Sequence, residues 1–243
     1  MRTQAIFLDL DGTLLDYDEA AWTETVRAVA RRLSQPAGDP RVASGVDPEL
    51  LTSIYIELSS RYFREAEKVQ PPADGHAIWR ELWGAALAAS GYADAALADE
   101  AVALYAAERA ASYRLYSDVL PALTELRHRV DALVLITNGP GSTQRHKVEA
   151  TGLTGLLDAV IISGEAGASK PDPAIFALAA RAAGVPLSAA WHVGDSLTSD
   201  IAGAANAELG AGVWLNRTRG AAPEPPPDYE ITSLAQLPQL LSR

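Results

Sequence analysis

The sequence predicts an α/β protein: a doubly wound parallel sheet with an all-helical unit inserted after the first strand. Three observations carry this. A short unbroken apolar run, the pattern of a strand buried on both faces, occurs at Ala5 to Leu8, and similar runs recur at Ala132 to Ile136, Ala159 to Ile162, Ala189 to Val193, Ala211 to Leu215 and, more weakly, Tyr229 to Thr232. Helical segments with readable ends separate the later runs. Between about residues 17 and 112 the strand runs stop and only helical stripes remain.

Taken in order, Ala5 to Leu8 is the first strand and ends in Asp9-Leu10-Asp11-Gly12-Thr13. Trp22, Val26, Val29 and Leu33 follow helical spacing, as do Leu51, Ile54, Tyr55, Leu58 and Tyr62, so each of these helices has one buried face. A Gly/Pro-rich break covers Pro36 to Pro48. Further helices are expected from about His76 to Ala89, with Trp79 and Trp83 in their core, and from Asp94, an N-cap, to Tyr113. The division read from this is 1–16 and 113–243 for the sheet domain and 17–112 for the helical unit. In the sheet domain Asp172-Pro173 opens a helix that Gly184 closes, and Gly210 closes another that begins near Asp200. Ala221 to Asp228, rich in proline, is a loop to the last strand.

Composition narrows the function. The chain has 243 residues, 48% hydrophobic and 21% charged, an ordinary globular mixture. A net charge of −11 repels nucleic acid and anionic lipid, so neither is an expected partner. Absence of cysteine removes disulfides, thiolate nucleophiles and thiolate metal sites together. Asp9 and Asp11 interrupt the stretch where a secretory leader would continue, and no run of 18 apolar residues exists, so a soluble cytoplasmic protein is expected.

The chemistry gathers at strand ends. Residues two apart in a strand share a face, so Asp9 and Asp11 would face one pocket provided the strand continues that far. Thr137-Asn138-Gly139 follows the second run, Ser169-Lys170-Pro171 lies beyond the third, and Gly194-Asp195-Ser196 follows the fourth, with Asp200 beyond. In a doubly wound sheet these groups converge at the carboxyl edge. Taken singly, Thr137 and Asn138 would serve as helix caps and Lys170 as a loop charge; jointly they build a site for an anionic group and a divalent cation. Two carboxylates about 4 Å apart repel by ~4 kcal/mol at an effective dielectric near 20, and a phosphate dianion adds to that. Hard oxygen ligands, with no Cys and no clustered His, favour Mg2+ over zinc.

The four segments Asp9-Leu10-Asp11-Gly12-Thr13, Thr137-Asn138-Gly139, Lys170-Pro171 and Gly194-Asp195 through Asp200 resemble, in order and spacing, the four motifs of the haloacid dehalogenase superfamily of phosphohydrolases. The resemblance implies a Rossmann-like core with a helical cap. Ile136 to Gly139 and Gly194 to Asp200 look most like the branch containing pyrimidine nucleotidases and N-acylneuraminate 9-phosphatase. It implies Asp9 as nucleophile, Asp11 as acid and base, and Thr137, Asn138, Gly139 and Lys170 on the phosphoryl group. Mg2+ would be held by Asp9, Asp195 and the backbone carbonyl of Asp11. Asp200 would orient Lys170 or a metal-bound water, although an N-cap role explains it equally. The implied activity is hydrolysis of a small phosphate ester, a nucleoside monophosphate or sugar phosphate, through an aspartyl-phosphate.

Rival readings are weaker. A phosphomutase would use the same motifs. Carbon–halogen hydrolysis does not expect a carboxylate at Asp11. A signalling receiver domain needs an acceptor Asp before the hydroxyl residue, where this chain has Leu135-Ile136. A silent binding module would have lost a motif residue. His192 is expected as a core histidine, and His76, His128 and His146 have no ligand spacing. Arg61, Arg64 and Lys68, mixed with Glu57, Glu65 and Glu67, read as a solvated face more than as a reader of anionic substrate.

Overall fold

The structure is a computed structural model that describes residues 2–16, 19–35, 46–66, 74–221 and 226–241, with the side chains of 63–66 excepted. The chain divides into two compact units, residues 1–17 with 114–243, and residues 18–113. No described helix is long and apolar enough to cross a membrane.

The first unit holds six parallel strands: β1 (Ala5–Leu8), β2 (Ala132–Thr137), β3 (Ala159–Ile162), β4 (Ala190–Gly194), β5 (Ala211–Leu215) and β6 (Tyr229–Ile231). Their order is β3-β2-β1-β4-β5-β6. β1 is flanked by β2 and β4, with Phe7 opposite both Val134 and His192. Strand order reverses at β1, and this places the crevice beyond the carboxyl ends of β1, β2 and β4. Every residue of β1 and β2 is buried, which is why both read as unbroken apolar runs.

Helices fill the connections. In chain order the first unit contributes α5 (Val119–Leu126), α6 (Gly141–Ala150), α7 (Ser163–Ala166), α8 (Pro173–Ala183), α9 (Ala202–Asn206) and α10 (Leu237–Leu240), while α1 (Glu19–Leu33), α2 (Pro48–Ala66), α3 (Gly75–Ala89) and α4 (Ala95–Ser112) make up the second. Asp172 caps α8 by accepting from the Ala174 N–H at 2.8 Å, and Gly184, at φ +69°, ends it. Ile175, Phe176 and Ala179 of α8 pack on Phe7, Val134 and Ile136.

In the helical unit, the apolar stripes meet in a separate core. Tyr55 stacks on Trp83 at 4.0 Å between ring centroids, Trp79 meets Tyr105 edge-on at 5.0 Å, and the Trp22 indole N–H donates to the Tyr105 hydroxyl at 2.8 Å. Trp79 and Trp83 are therefore core residues, as their spacing predicts. Asp94 caps α4 through the Ala96 and Leu97 N–H groups. Arg61 is exposed. The Arg64 and Glu65 side chains, Glu67, Lys68 and most of the 36–48 break lie outside the described residues.

Two expectations are corrected. β1 does not continue to Asp11: the Leu14 and Leu15 N–H groups both turn back to the Leu10 carbonyl, at 2.9 and 2.8 Å. The helix expected to begin near Asp200, α9, begins at Ala202, preceded by a wide turn over Leu197–Ile201 that Ser196 caps. Asp200 lies inside that turn and is not its N-cap.

Candidate active site

Asp9 leaves the end of β1 with its N–H still bonded to the Val193 carbonyl of β4 at 3.0 Å. Its carboxylate is buried, and Oδ1 accepts from Lys170 Nζ at 2.6 Å. The same ammonium donates to Asp200 Oδ1, also at 2.6 Å. Lys170 is itself buried, between two carboxylates that raise its pKa against the desolvation that lowers it. Burial pushes Asp9 up to about 7, with Lys170 pulling it back and Asp200 adding to the rise.

Asp200 accepts from three donors. Lys170 Nζ and His192 Nε2 meet Oδ1 at 2.6 and 3.0 Å, and the Ser196 N–H meets Oδ2 at 2.9 Å. Burial works against its charge, but these partners hold its carboxyl well below the usual range. His192 is thus a core residue, with a neutral ring favoured by burial and its Nε2 on Asp200.

Asn138 fixes Lys170 from the opposite strand. Its side-chain amide donates to the Lys170 carbonyl and accepts from the Lys170 N–H, both at 2.9 Å. The amide acts on the lysine backbone and aims the ammonium at Asp9. The Gly139 N–H donates to Ser163 Oγ at 2.9 Å. α6 starts two residues later, with Pro140 at its cap position and no side chain capping its first N–H groups. The positive end of a helix dipole suits an anion.

Asp11 takes partners that sequence reasoning missed. Lys147 Nζ donates to both of its oxygens at 2.8 Å, and Gln144 Nε2 donates to Oδ2 at 2.9 Å. Gln144 Nε2 also meets Thr137 Oγ1 at 2.6 Å, which ties the first segment to the second. Gln144 and Lys147 lie three apart on one face of α6, a spacing visible in the sequence. Nothing in the sequence shows that this face points back at Asp11.

Asp195 follows β4. Its carbonyl accepts from the Trp214 indole at 2.9 Å, and Thr13 Oγ1 stands 3.5 Å from its Oδ1. A Cβ on Gly12, which sits at φ +80°, would come within 2.4 Å of Asp195 Oδ2. Only glycine lets the two segments approach so closely. Burial raises the Asp195 pKa, with Asp200 adding to the rise.

Oxygens of Asp9, Asp195 and Asp200 lie within 4.8 Å of one another. Asp200 already accepts from three donors, two on Oδ1 and one on Oδ2, which leaves Asp9 and Asp195 with the greater capacity for a cation. Counting Asp11, four carboxylates face two ammonium groups, those of Lys170 and Lys147. The excess of two negative charges and the all-oxygen donor set fit one hard divalent cation.

A model of haloacid dehalogenase-like hydrolases matches residues 3–208. N-acylneuraminate-9-phosphatase of Homo sapiens is 33% identical over 99% of this chain and 94% of its own length. Pyrimidine 5'-nucleotidase of Escherichia coli is 41% identical over 45% of this chain and 49% of its own. A crystal structure titled 2-haloacid dehalogenase, from Pseudomonas syringae, superposes with a TM-score of 0.73 at 32% identity, over 99% of this chain and 98% of that one. With the match spanning most of its length and a relative aligned nearly end to end, the chain belongs to the haloacid dehalogenase-like hydrolases.

Proposed function

We propose that the protein is a Mg2+-dependent phosphomonoester hydrolase acting on a small phosphorylated metabolite through an aspartyl-phosphate. One observation carries the reading: a buried carboxylate, Asp9, is paired with Lys170 at 2.6 Å while its oxygens lie within 4.8 Å of those of Asp195 and Asp200, beyond the sheet's switch point. Asp9 attacks phosphorus, and the ester oxygen leaves with a proton from Asp11. Asp11 then takes a proton from water, and the water attacks phosphorus to release phosphate and restore Asp9. Lys170 holds Asp9 in place and offsets charge on the transferring group. The Thr137 hydroxyl accepts from Gln144 at 2.6 Å and donates over a long 3.5 Å to the Asn138 carbonyl, a bond it can exchange for one to a phosphoryl oxygen. Asp9, Asp195 and the Asp11 carbonyl would hold Mg2+, which when bound favours ionised Asp9 and draws charge from the phosphoryl oxygens.

The phosphatase and nucleotidase names of the relatives support this reading, and the dehalogenase title of one structural neighbour favours a rival that uses the same nucleophile. The rival gives Asp11 no proton to deliver and the acidic cluster no cation to hold. The test sets p-nitrophenyl phosphate with Mg2+ against 2-chloropropionate without metal. Phosphate release that disappears in Asp9→Asn is expected. Halide release in EDTA, or undiminished phosphatase turnover by that variant, would overturn the proposal.

A further inference from the structure

Asp11 has left the strand, so no sheet ladder aims its side chain; two residues of α6 do so. Lys147 Nζ and Gln144 Nε2 both donate to Oδ2, at 2.8 and 2.9 Å, while Oδ1 accepts from Lys147 at 2.8 Å. Gln144 is buried, and the Lys147 side chain is 14% exposed. Space for Gln144 depends on Gly139, where a Cβ would stand 3.0 Å from the Gln144 amide carbon. The amide is thus packed into position as well as hydrogen-bonded.

Resting on the function proposed above, we infer that Gln144 and Lys147 are positioning residues for Asp11, anchoring Oδ2 so that Oδ1 carries the proton given to the ester oxygen and later taken from water. When Oδ1 bears that proton, both donors retain Oδ2 as acceptor, so the carboxyl keeps its orientation through both steps. Gln144 does this while holding Thr137, which couples the acid to the hydroxyl that meets the phosphoryl group.

A fold-stabilising role and a positioning role differ in how they depend on the leaving group. A nitrophenolate departs without a proton, whereas an alkoxide needs one. Turnover of p-nitrophenyl phosphate and of β-glycerophosphate by the full-length enzyme with saturating Mg2+ therefore separates them. Lys147→Met is expected to lower kcat/KM, which reports the step in which the leaving group departs, about 10- to 100-fold more for the alkyl ester than for the aryl ester, the usual scale for removing an orienting partner. Lys147→Arg should recover most of that loss. Gln144→Leu should shift the ratio the same way and also raise KM, through Thr137. Should Lys147→Met fail to fold, Lys147→Arg and Gln144→Leu carry the comparison, with thermal midpoints measured alongside. An alkyl-to-aryl ratio unchanged in the folded variants overturns the inference. Asp11→Asn is the control: if it collapses the ratio and the α6 variants do not, the positioning role alone fails. If Asp11→Asn also leaves the ratio unchanged, the acid and base role of Asp11 fails with it.

Discussion

Gly194 ends β4 where no other residue fits beside Asp200: a Cβ there would stand 2.2 Å from the Asp200 carboxyl carbon. The carboxylate that receives Lys170 is therefore pressed against bare backbone. Gly194→Ala must push Asp200 off Lys170 and His192 or shift the strand. The expected cost is about 1–3 kcal/mol of stability, as for overpacking elsewhere, with most of the phosphatase activity lost. Gly155→Ala is the comparison, since nothing lies within 4 Å of a Cβ at that position. Equal thermal midpoints for the two variants would show that Asp200 does not need that backbone approach.

Lys170 separates two buried carboxylates, so its removal has an effect beyond catalysis. Lys170→Met leaves Asp9 and Asp200 facing each other without the ammonium at 2.6 Å from each. Breaking a buried pair by removing one partner costs about 3–5 kcal/mol. Denaturant unfolding in EDTA should show that loss, and Asp9→Asn added to Lys170→Met should recover part of it by deleting one of the stranded charges. A double variant no more stable than Lys170→Met would show that repulsion between the carboxylates is not the source.

Asp9, Thr137 and Asp195 were legible because each lies at or just beyond the end of a mostly apolar run, and such runs become parallel strands whose carboxyl ends share one edge. Lys170 was legible from its place after the third run. The contacts that α6 makes were not. Lys147 reaches Asp11 across 136 residues of sequence, and its reach depends on the chain turning at Leu10 instead of continuing as strand. Asp200 stayed open between a cap and a partner for Lys170, because that choice rests on the wide turn over Leu197–Ile201, which no residue type announces. Asn138 read as a residue of the anion site, yet its side chain spends both polar ends on the Lys170 backbone.

At the edge of the candidate site, Arg217 joins three segments. It donates to both Asp118 oxygens at 3.0 Å and to the Thr13 carbonyl at 2.8 Å, and it stacks on Tyr116 at 3.8 Å. Burial works to raise Asp118, but Arg217, Ser233 and the Leu234 N–H outweigh it and leave its pKa below 3.8. A carboxylate depressed in the folded state contributes stability that is present above its unfolded value and lost as pH falls through its folded one. Asp118→Asn should therefore cost about 1.5–3 kcal/mol at pH 7, and the gap to wild type should begin to narrow below about pH 4 and go on closing as pH falls through the folded value. A gap that does not narrow at all as pH falls below about 4 would mean that the charge on Asp118 is not what Arg217 reads.

Asp9 gives the opposite pH dependence. Its pKa is raised to about 7 without a cation, so the folded protein binds this proton more tightly than the unfolded chain does. That contribution to stability is complete below the ordinary aspartate value of 3.8 and is lost as pH rises through about 7. A cation at Asp9 and Asp195 competes for the same oxygens, so binding must release the proton whenever pH is below that value. Mg2+ affinity should then fall about tenfold per pH unit below pH 7 and level off above it, since one proton is exchanged. Calorimetry at pH 6 in two buffers of different ionisation enthalpy should register close to one proton released per ion, and the increase in thermal midpoint on adding Mg2+ should be larger at pH 8 than at pH 6. Affinity that stays flat between pH 5.5 and 7 would place the ion away from Asp9, and the role of that carboxylate as ligand would have to be given up.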